Sequence, residues 1–321
     1  MWGGAMGKLP PELAADYAAC RQIMFAASKN YSFASRVLPP DKLPHVEALY
    51  ALMRVGDDRV DVSAAGFDSA LAAIQDWETR YWDAFAQGRA DHPVMRAYLH
   101  TALTCRIPPE TMRPYFRAMR DDLTVTRFPT FADLLYYIEG SALPVGRALT
   151  HILGVRAPQT LAQALSHADS LATAMQLSNF WRDIAEDWRR GRIYLPLEDM
   201  QRFGVTEAAL SQGRVSPAFV ALLKFEIART ESYYQHAYDG VSCLATGRWG
   251  VMSSLHIYHM ILRDIRRRRY DVFTHRAGAS QLEKFACATL AWFETNGLMC
   301  RTIPGARTPE AAPMMEISGN A

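Results

Sequence analysis

The chain has 321 residues, of which 50% are hydrophobic and 21% are charged, and its formal net charge is only +2. This composition is typical of a folded globular protein and excludes a largely disordered chain. The net charge is too small to indicate a nucleic-acid partner, and the five cysteines lack the paired spacing of a zinc site or a disulfide framework.

Apolar residues recur at helical spacing along almost the whole chain, whereas the alternating runs typical of strands are hard to find. Breaks fall at turn residues, among them Pro39-Pro40, Pro108-Pro109 and Pro196. The pattern predicts an all-α fold with helices over about residues 11–28, 42–62, 67–87, 93–105, 110–122, 130–153, 159–188, 217–242, 248–268 and 279–295.

No linker divides these helices, so we predict one domain over residues 11–300, with a flexible N-terminus at 1–10 and a disordered tail at 301–321. No secretory signal is evident, and no apolar stretch reaches the roughly 18 to 20 residues that a membrane span requires. The sequence therefore predicts a cytoplasmic protein whose only membrane contact is peripheral. The run from Arg266 to Arg269 favours a solvated helix face over an anion-binding or membrane-surface role.

The second predicted helix carries an unusual acidic pattern in the stretch LYALMRVGDDRVDVS. Asp57 and Asp61 are four residues apart with Asp58 between them, and helical steps back along the chain lead to Arg54 and Tyr50. Like charges at that spacing repel by roughly 0.2 to 0.5 kcal/mol in an isolated helix. Something has to offset that repulsion.

The same pattern returns far downstream in QLSNFWRDIAEDWRRGRIYLP. Here one stripe carries Gln176, Asn179, Asp183 and Asp187, with Arg182 beside them. Either stripe alone indicates no more than a solvated helix face. Their recurrence, each with the same aspartate spacing and a neighbouring arginine, instead favours two facing helices that hold hard cations.

Magnesium prefers oxygen ligands and is typically held by one or two carboxylates together with phosphate oxygens of a substrate. Arg54 and Arg182 would contact the remaining phosphate oxygens. Aromatic faces suited to a carbocation are those of Phe33, Tyr50, Tyr137 and Tyr258, although core packing is favoured for each alone. The candidates for an apolar lining are Phe33, Leu143, Val145, Met175, Leu177, Phe180 and Trp181. These features predict an enzyme that acts on a prenyl diphosphate.

Over about residues 15–295 the chain resembles the squalene and phytoene synthase family of head-to-head prenyl synthases. The similarity lies in both aspartate motifs and in the stretches SKNYSFASRVLPP, YYIEGSALPVG and IYHMILRDIRRRRYDVF. The resemblance implies an isoprenoid synthase fold, a single helical bundle around a central cavity. It also implies that the enzyme is a prenyltransferase.

The resemblance assigns roles by position. Magnesium, with manganese as an alternative, would be held by Asp57, Asp58, Asp61, Asp183 and Asp187. The catalytic residues would be Asp57, Asp61, Asp183, Asp187, Tyr137 and Arg182. Substrate contacts would come from Ser28, Phe33, Tyr50, Arg54, Val145, Gly146, Gln176, Asn179 and Tyr258. Either His275 or Arg276 would supply a further basic group.

Features of the sequence point to different products. The stretch Ala142 to Gly146, with proline at 144, and Asn179-Phe180-Trp181 resemble hydroxysqualene synthases, whereas Asp57-Asp58-x-x-Asp61 and Tyr270 to Phe273 resemble phytoene synthases. We expect two geranylgeranyl diphosphates to give phytoene through prephytoene diphosphate, without need of NADPH. The alternative is a thirty-carbon synthase that converts farnesyl diphosphate to presqualene diphosphate, hydroxysqualene, squalene or dehydrosqualene. A third possibility is a catalytically silent prenyl-lipid-binding relative, and the oligomeric state is open.

Overall fold

The computed structural model describes residues 10–27, 37–61 and 66–299, apart from the side chain of Asp61. Within these ranges the protein is all-α, as predicted, and it contains two isolated β-bridges but no strand. The helices are α1 Ala14–Ala27, α2 Leu43–Asp61, α3 Ala70–Gln87, α4 Pro93–Cys105, α5 Arg113–Asp121, α6 Phe131–Ser141, α7 Leu143–Leu153, α8 Leu161–Arg189, α9 Leu197–Arg202, α10 Glu207–Ser211, α11 Pro217–Gly240, α12 Arg248–Arg267 and α13 Gln281–Thr295.

Reciprocal capping fixes where three of these helices begin. At the start of α8 the Thr160 hydroxyl accepts from the Gln163 backbone N–H, and the Gln163 side chain accepts from the Thr160 backbone N–H. The same arrangement starts α6 at Thr130 and α13 at Ser280. Each capping box satisfies two backbone donors that a helix would otherwise leave without partners.

The helix predicted over residues 130–153 is in fact two helices. The chain turns at Ala142, where φ is −132° and ψ is −40°. Pro144 is the physical reason, because it has no N–H and its ring would collide with the Gly140 carbonyl if α6 continued. The short helices α9 and α10 were not predicted either, since five or six residues are too few to show a helical period.

Two groups of buried apolar side chains make up the interior. One draws on α1 to α5 and α7, the other draws on α5 to α13, and Leu38 and Leu149 pack against both. The long helix α8 packs against α7, α11 and α12. Gly240 permits α11 to approach α8 closely, because a Cβ there would lie 2.0 Å from the Cβ of His167.

A cavity of about 280 Å³ lies where the two groups of buried side chains meet. Leu38, Val46 and Leu149 line one side, and residues of α8 from Ala164 to Asn179 line another. That stretch of α8 is about 22 Å long, at 1.5 Å per helical residue. In the described part of the chain, every helix is too short or too polar to cross a bilayer.

Candidate active site

The carboxyl-terminal half of α8 carries a charged cluster centred on Asp183. Arg182 donates to both carboxylate oxygens, with its Nε 2.8 Å from Oδ1. Arg276, from the loop after α12, also donates to both oxygens, at 2.8 and 3.0 Å. Burial would raise the pKa of Asp183, but hydrogen bonds and charge from the two guanidiniums hold it below its usual value. Two arginines thus converge on one aspartate, which is a setting suited to a multiply charged anion.

One turn further along α8, the pKa of Asp187 is shifted in the opposite direction from that of Asp183. Burial, followed by the charge of Asp183, raises the pKa of the Asp187 carboxyl to about 7. The positive charges of Arg190 and Arg192 lower it only in part. Burial therefore disfavours the charged form of Asp187, and a bound cation would favour it.

The facing acidic motif lies on the last turns of α2. Arg54 Nη2 donates to Asp58 Oδ1 at 2.5 Å, an ion pair four residues apart on the helix. The Tyr115 hydroxyl lies 2.7 Å from the Met53 carbonyl oxygen and 3.2 Å from Asp57 Oδ1. Gly56 makes room for this tyrosine, because a Cβ at residue 56 would lie only 2.0 Å from Tyr115 Oη. A ring from α5 thus positions the first aspartate of the motif.

Tyr258 of α12 links the two acidic helices. It lines the cavity together with Gln176 and Asn179 of α8. Burial raises the pKa of Tyr258, and the nearby charges of Arg182 and Arg276 oppose that shift. Tyr50 of α2 is close enough to interact with Tyr258 electrostatically. The two stripes singled out from the sequence therefore lie at one end of the cavity.

A second polar group adjoins Asp187. The Tyr137 hydroxyl donates to Asp122 Oδ1 at 2.7 Å, and Arg192 Nη2 donates to the Asp122 carbonyl at 2.8 Å. The backbone N–H of Arg192 donates to the Asp187 carbonyl at 2.8 Å. Tyr194, which stacks on Phe180 with ring centroids 3.9 Å apart, borders the same group. Tyr137 is thereby fixed between an aspartate and an aromatic stack.

The structure brings most of the predicted site residues together. Gln176, Asn179, Tyr258, Val145 and Gly146 line the cavity. Arg182 and Asp183 lie near Tyr258, and Arg54, Asp57 and Asp58 lie near Tyr50, which itself is close to Tyr258. Other predicted residues lie elsewhere or outside the described residues. Among the lining candidates, Leu177 and Trp181 are fully buried in the core, and Trp181 Nε1 donates to Thr230 Oγ1. Ser28, Phe33 and the side chain of Asp61 lie outside the described residues.

Several residues that shape the site were not predicted from the sequence. Arg276 settles which of the two basic residues after α12 contacts the cluster. Asp122, Arg192 and Tyr194 were missed, although Arg192 and Tyr194 lie inside the quoted second motif. Asp122 directly follows α5 and belongs to no motif singled out from the sequence, so only its contact with Tyr137 reveals it.

The acidic side chains fit a magnesium ion that shares its coordination with a substrate. Within the described residues, no three acidic, histidine or cysteine side chains come close enough to enclose an ion by themselves. Magnesium typically takes one or two carboxylates and completes its shell with water and phosphate oxygens. Carboxylates on α2 and α8, whose helices are linked by the neighbouring Tyr50 and Tyr258, meet that requirement.

Comparison with known proteins decides the family. Residues 25–283 match the squalene/phytoene synthase family. The chain belongs to this family. Among its relatives, a phytoene synthase from Arthrospira platensis is 32% identical over 294 residues, which cover 88% of this chain and 94% of the relative. A 15-cis-phytoene synthase from Synechocystis sp. is 32% identical over 291 residues, covering 88% and 86%.

Solved structures of the squalene/phytoene synthase family share the fold. A squalene synthase from Alicyclobacillus acidocaldarius is 30% identical, with a TM-score of 0.74 over 84% of this chain and 99% of that one. A dehydrosqualene synthase bound to a ligand is 27% identical, with a TM-score of 0.80 over 89% and 98%. The predicted resemblance and the isoprenoid synthase fold are confirmed. The chain is a prenyltransferase of the family that joins prenyl units head to head.

Proposed function

We propose that this enzyme condenses two molecules of geranylgeranyl diphosphate to phytoene, through a cyclopropyl intermediate of the prephytoene type, in a magnesium-dependent reaction. The observation that carries the proposal is an apolar cavity that ends at a cluster of aspartates and arginines. Relatives named phytoene synthase, 32% identical over 88% of the chain, support the choice of substrate.

The polar end would bind the diphosphate groups. Arg182 and Arg276 now neutralise Asp183, and both can turn their N–H groups to phosphate oxygens when a diphosphate arrives. Arg54 can do the same from α2, where it is paired with Asp58. Guanidinium groups held in place before the reaction stabilise the charge that develops on a departing diphosphate.

The apolar end would hold the prenyl tails and exclude water. Loss of diphosphate leaves an allylic cation, whose C1 is attacked by the double bond of the second substrate. Loss of a proton then closes the cyclopropane ring. Departure of the second diphosphate, rearrangement and loss of a further proton give phytoene, so the sequence of steps needs no NADPH. Side chains such as Val145, Leu149 and Met175 keep water away from these cations.

Magnesium would be held by Asp57, Asp58, Asp61, Asp183 and Asp187, with manganese as a possible substitute. Bound there, the ion supplies Lewis-acid assistance to the departure of diphosphate. Tyr137, held by Asp122, and Tyr258, at the cavity mouth, orient the reacting end of the substrate.

A thirty-carbon product from farnesyl diphosphate is the second candidate. Two observations favour it: the proline turn before Val145, and the similarity of the fold to a squalene synthase and a dehydrosqualene synthase. The two candidates differ by one isoprene unit per substrate, so the occupied length of the cavity distinguishes them.

Product analysis tests the proposal. Purified protein and magnesium would be incubated separately with geranylgeranyl diphosphate and farnesyl diphosphate, with and without NADPH, and the lipids identified by mass spectrometry. We expect phytoene from the longer substrate alone, with or without NADPH. A thirty-carbon product from the shorter substrate alone would support the second candidate. No product from either substrate would support a catalytically silent prenyl-lipid-binding protein.

A further inference from the structure

A stripe of large apolar side chains faces solvent along α13. Leu282, Phe285 and Trp292 are 83%, 70% and 43% exposed, and their spacing places them on one side of the helix. Scattered exposed apolar residues are ordinary, but three large ones on one side of a single helix, interrupted only by the exposed Thr289, indicate a contact surface. The opposite side of α13 packs on α12 through the small side chains of Cys287, Ala288 and Ala291.

Two hydrogen-bond contacts with α12 hold α13 in a fixed orientation. Trp249 Nε1 donates to the Ala288 carbonyl at 2.8 Å, and His256 Nε2 lies 2.6 Å from Glu294 Oε2. The side chains of His256 and Glu294 are 6% and 2% exposed. Rotation of the stripe into the interior would break both contacts, so the stripe is a permanent outer face.

Exposed arginines border the amino-terminal end of this face. Arg267 donates to Glu283 at 2.8 Å, next to Leu282, and Arg263 is close enough to Cys287 to affect its pKa. Arg268, which donates to Asp264 at 2.8 Å, and Arg269 follow at the end of α12 and are also exposed, although the sequence pattern alone favoured a solvated helix face for this run. Leucine, phenylalanine and tryptophan beside exposed arginines are the composition of a helix that lies in a membrane interface.

The same helix that supports α13 also lines the cavity. Gly250, Val251 and Tyr258 face the cavity from α12, while Trp249 and His256 hold α13 on the other side. A helix with its side chains is about 10 to 12 Å across. The apolar face, on the outer side of α13, thus lies about two helix diameters from the candidate prenyl-binding site.

We propose that the outer face of α13 rests on the surface of an anionic lipid bilayer. A second copy of the chain fits the stripe less well, because about 22 Å of helix and roughly 10 Å of width give about 200 Å², against about 800 Å² per partner in a stable interface. A bilayer needs no shape complementarity and attracts the bordering arginines. The inference deepens the proposed function, since prenyl tails partition into bilayers, but it can be tested without turnover.

Vesicle co-sedimentation tests the proposal with the full chain. Vesicles of phosphatidylcholine alone would be compared with vesicles that also contain phosphatidylglycerol, at low and raised salt. The test variant carries Leu282→Ser and Phe285→Ser. The matched control carries Leu71→Ser and Leu103→Ser, two leucines that are 43% and 65% exposed on α3 and α4. Turnover would be assayed with substrate dispersed in detergent, where neither variant should differ from the wild type.

We expect the wild type and the control variant to bind the phosphatidylglycerol vesicles, and to bind them more weakly at raised salt. The affinity of the test variant for these vesicles should be at least about tenfold lower. Equal binding by the test variant would overturn the proposal. So would a wild-type dimer that the two substitutions convert to a monomer, because the stripe would then be an interface between copies. A monomeric wild type that binds neither kind of vesicle would overturn the proposal as well. Residues 300–321 would then be the candidate segment to cover the apolar stripe. An enzyme without activity that still bound vesicles would contradict only the proposed function.

Discussion

At the residue scale, each aspartate pair is already engaged with cationic or hydroxyl partners of the protein. Arg182 and Arg276 hold Asp183, Arg54 holds Asp58, and Tyr115 contacts Asp57. These contacts orient the carboxylates in the absence of a ligand, so little reorganisation of the aspartates themselves is needed when a diphosphate binds. The arginines, in contrast, have to exchange a carboxylate for phosphate oxygens.

Replacing Asp183 with asparagine tests its role in cation binding. The change keeps the volume but removes the charge, so we expect turnover to fall by roughly a hundredfold or more. The melting temperature should change little, and a diphosphate analogue with magnesium should no longer raise it. Asp57→Asn should behave in the same way.

Asp169→Asn is the matched control for Asp183→Asn, because Asp169 lies on the same helix but pairs with Arg147 of α7. It should lose a half-buried ion pair and keep its turnover. Wild-type turnover in Asp183→Asn or Asp57→Asn would contradict the assignment of these aspartates to the cation.

Gly56 and Tyr115 form a pair that a double-mutant cycle can separate. Gly56→Ala places a methyl group 2.0 Å from the tyrosine oxygen, and we expect it to lower the free energy of unfolding by about 1 to 3 kcal/mol. In a Tyr115→Phe background the oxygen is gone, so the same change should cost less, although ring carbons remain 3.1 and 3.3 Å away. Chemical denaturation of the four proteins measures the coupling. Equal costs in both backgrounds would contradict it.

At the element scale, the long helices were predictable and their interruptions were only partly so. The periodic apolar pattern placed α4 at the observed residues and α8 within two residues of them. The break between α6 and α7 was missed because Pro144 was interpreted as part of a family motif rather than as a helix boundary. α9 and α10 depend on tertiary contacts of a connecting segment, which periodicity does not report.

The candidate site was predictable for a different reason. A helix fixes which residues share a face, so Gln176, Asn179 and Asp183 could be placed together from spacing alone. Contacts between distant segments could not be derived in that way. Asp183 and Arg276 are 93 residues apart, and Asp57 and Tyr115 are 58 apart, so the fold itself had to bring them together.

The helix α8 should act as a ruler for the prenyl tail. Ala172, Ala168 and Ala164 line the cavity at about 10, 16 and 22 Å from Asn179, at 1.5 Å per residue. Ala172→Leu should restrict the enzyme to the shortest tails, and Ala168→Leu and Ala164→Leu should do so progressively less. Product ratios from an equimolar mixture of farnesyl and geranylgeranyl diphosphates measure this effect.

Thermal melting of the three variants is the control for the ruler, since added volume in a packed site costs about 1 to 3 kcal/mol by itself. Unchanged product ratios in stable variants would show that the tails lie elsewhere. A reversed order along the helix would show that the diphosphate binds at the other end.

At the scale of the whole molecule, buried ionisable groups couple stability to pH in opposing directions. Burial lowers the pKa of His45 to about 4, so this residue reduces stability as pH falls below its ordinary value of 6.5. Burial raises the pKa of Glu226 to about 8, from an ordinary value of 4.5. Between pH 4.5 and 6.5 His45 and Glu226 change the free energy of unfolding in opposite directions as pH rises. Above pH 6.5 only Glu226 of these two still changes it.

Glu226 is fully buried beside Asp199, and a single guanidinium, that of Arg229, serves both carboxyl groups at 3.2 and 2.9 Å. One carboxyl therefore keeps its proton in the folded state at pH values where the unfolded chain has lost it. The unfolded state then binds fewer protons, so the free energy of unfolding should fall by up to about 1.4 kcal/mol per pH unit between pH 6.5 and 8. Glu226→Gln keeps the shape and removes the titration, so it should flatten this decline and raise the melting temperature at pH 8 above that of the wild type. The control is Glu12→Gln, at an exposed position, which should leave the pH dependence of the free energy of unfolding unchanged. If Glu226→Gln also left that pH dependence unchanged, other groups would cause the decline. Asp187 would be the first of these, because its raised pKa acts in the same direction.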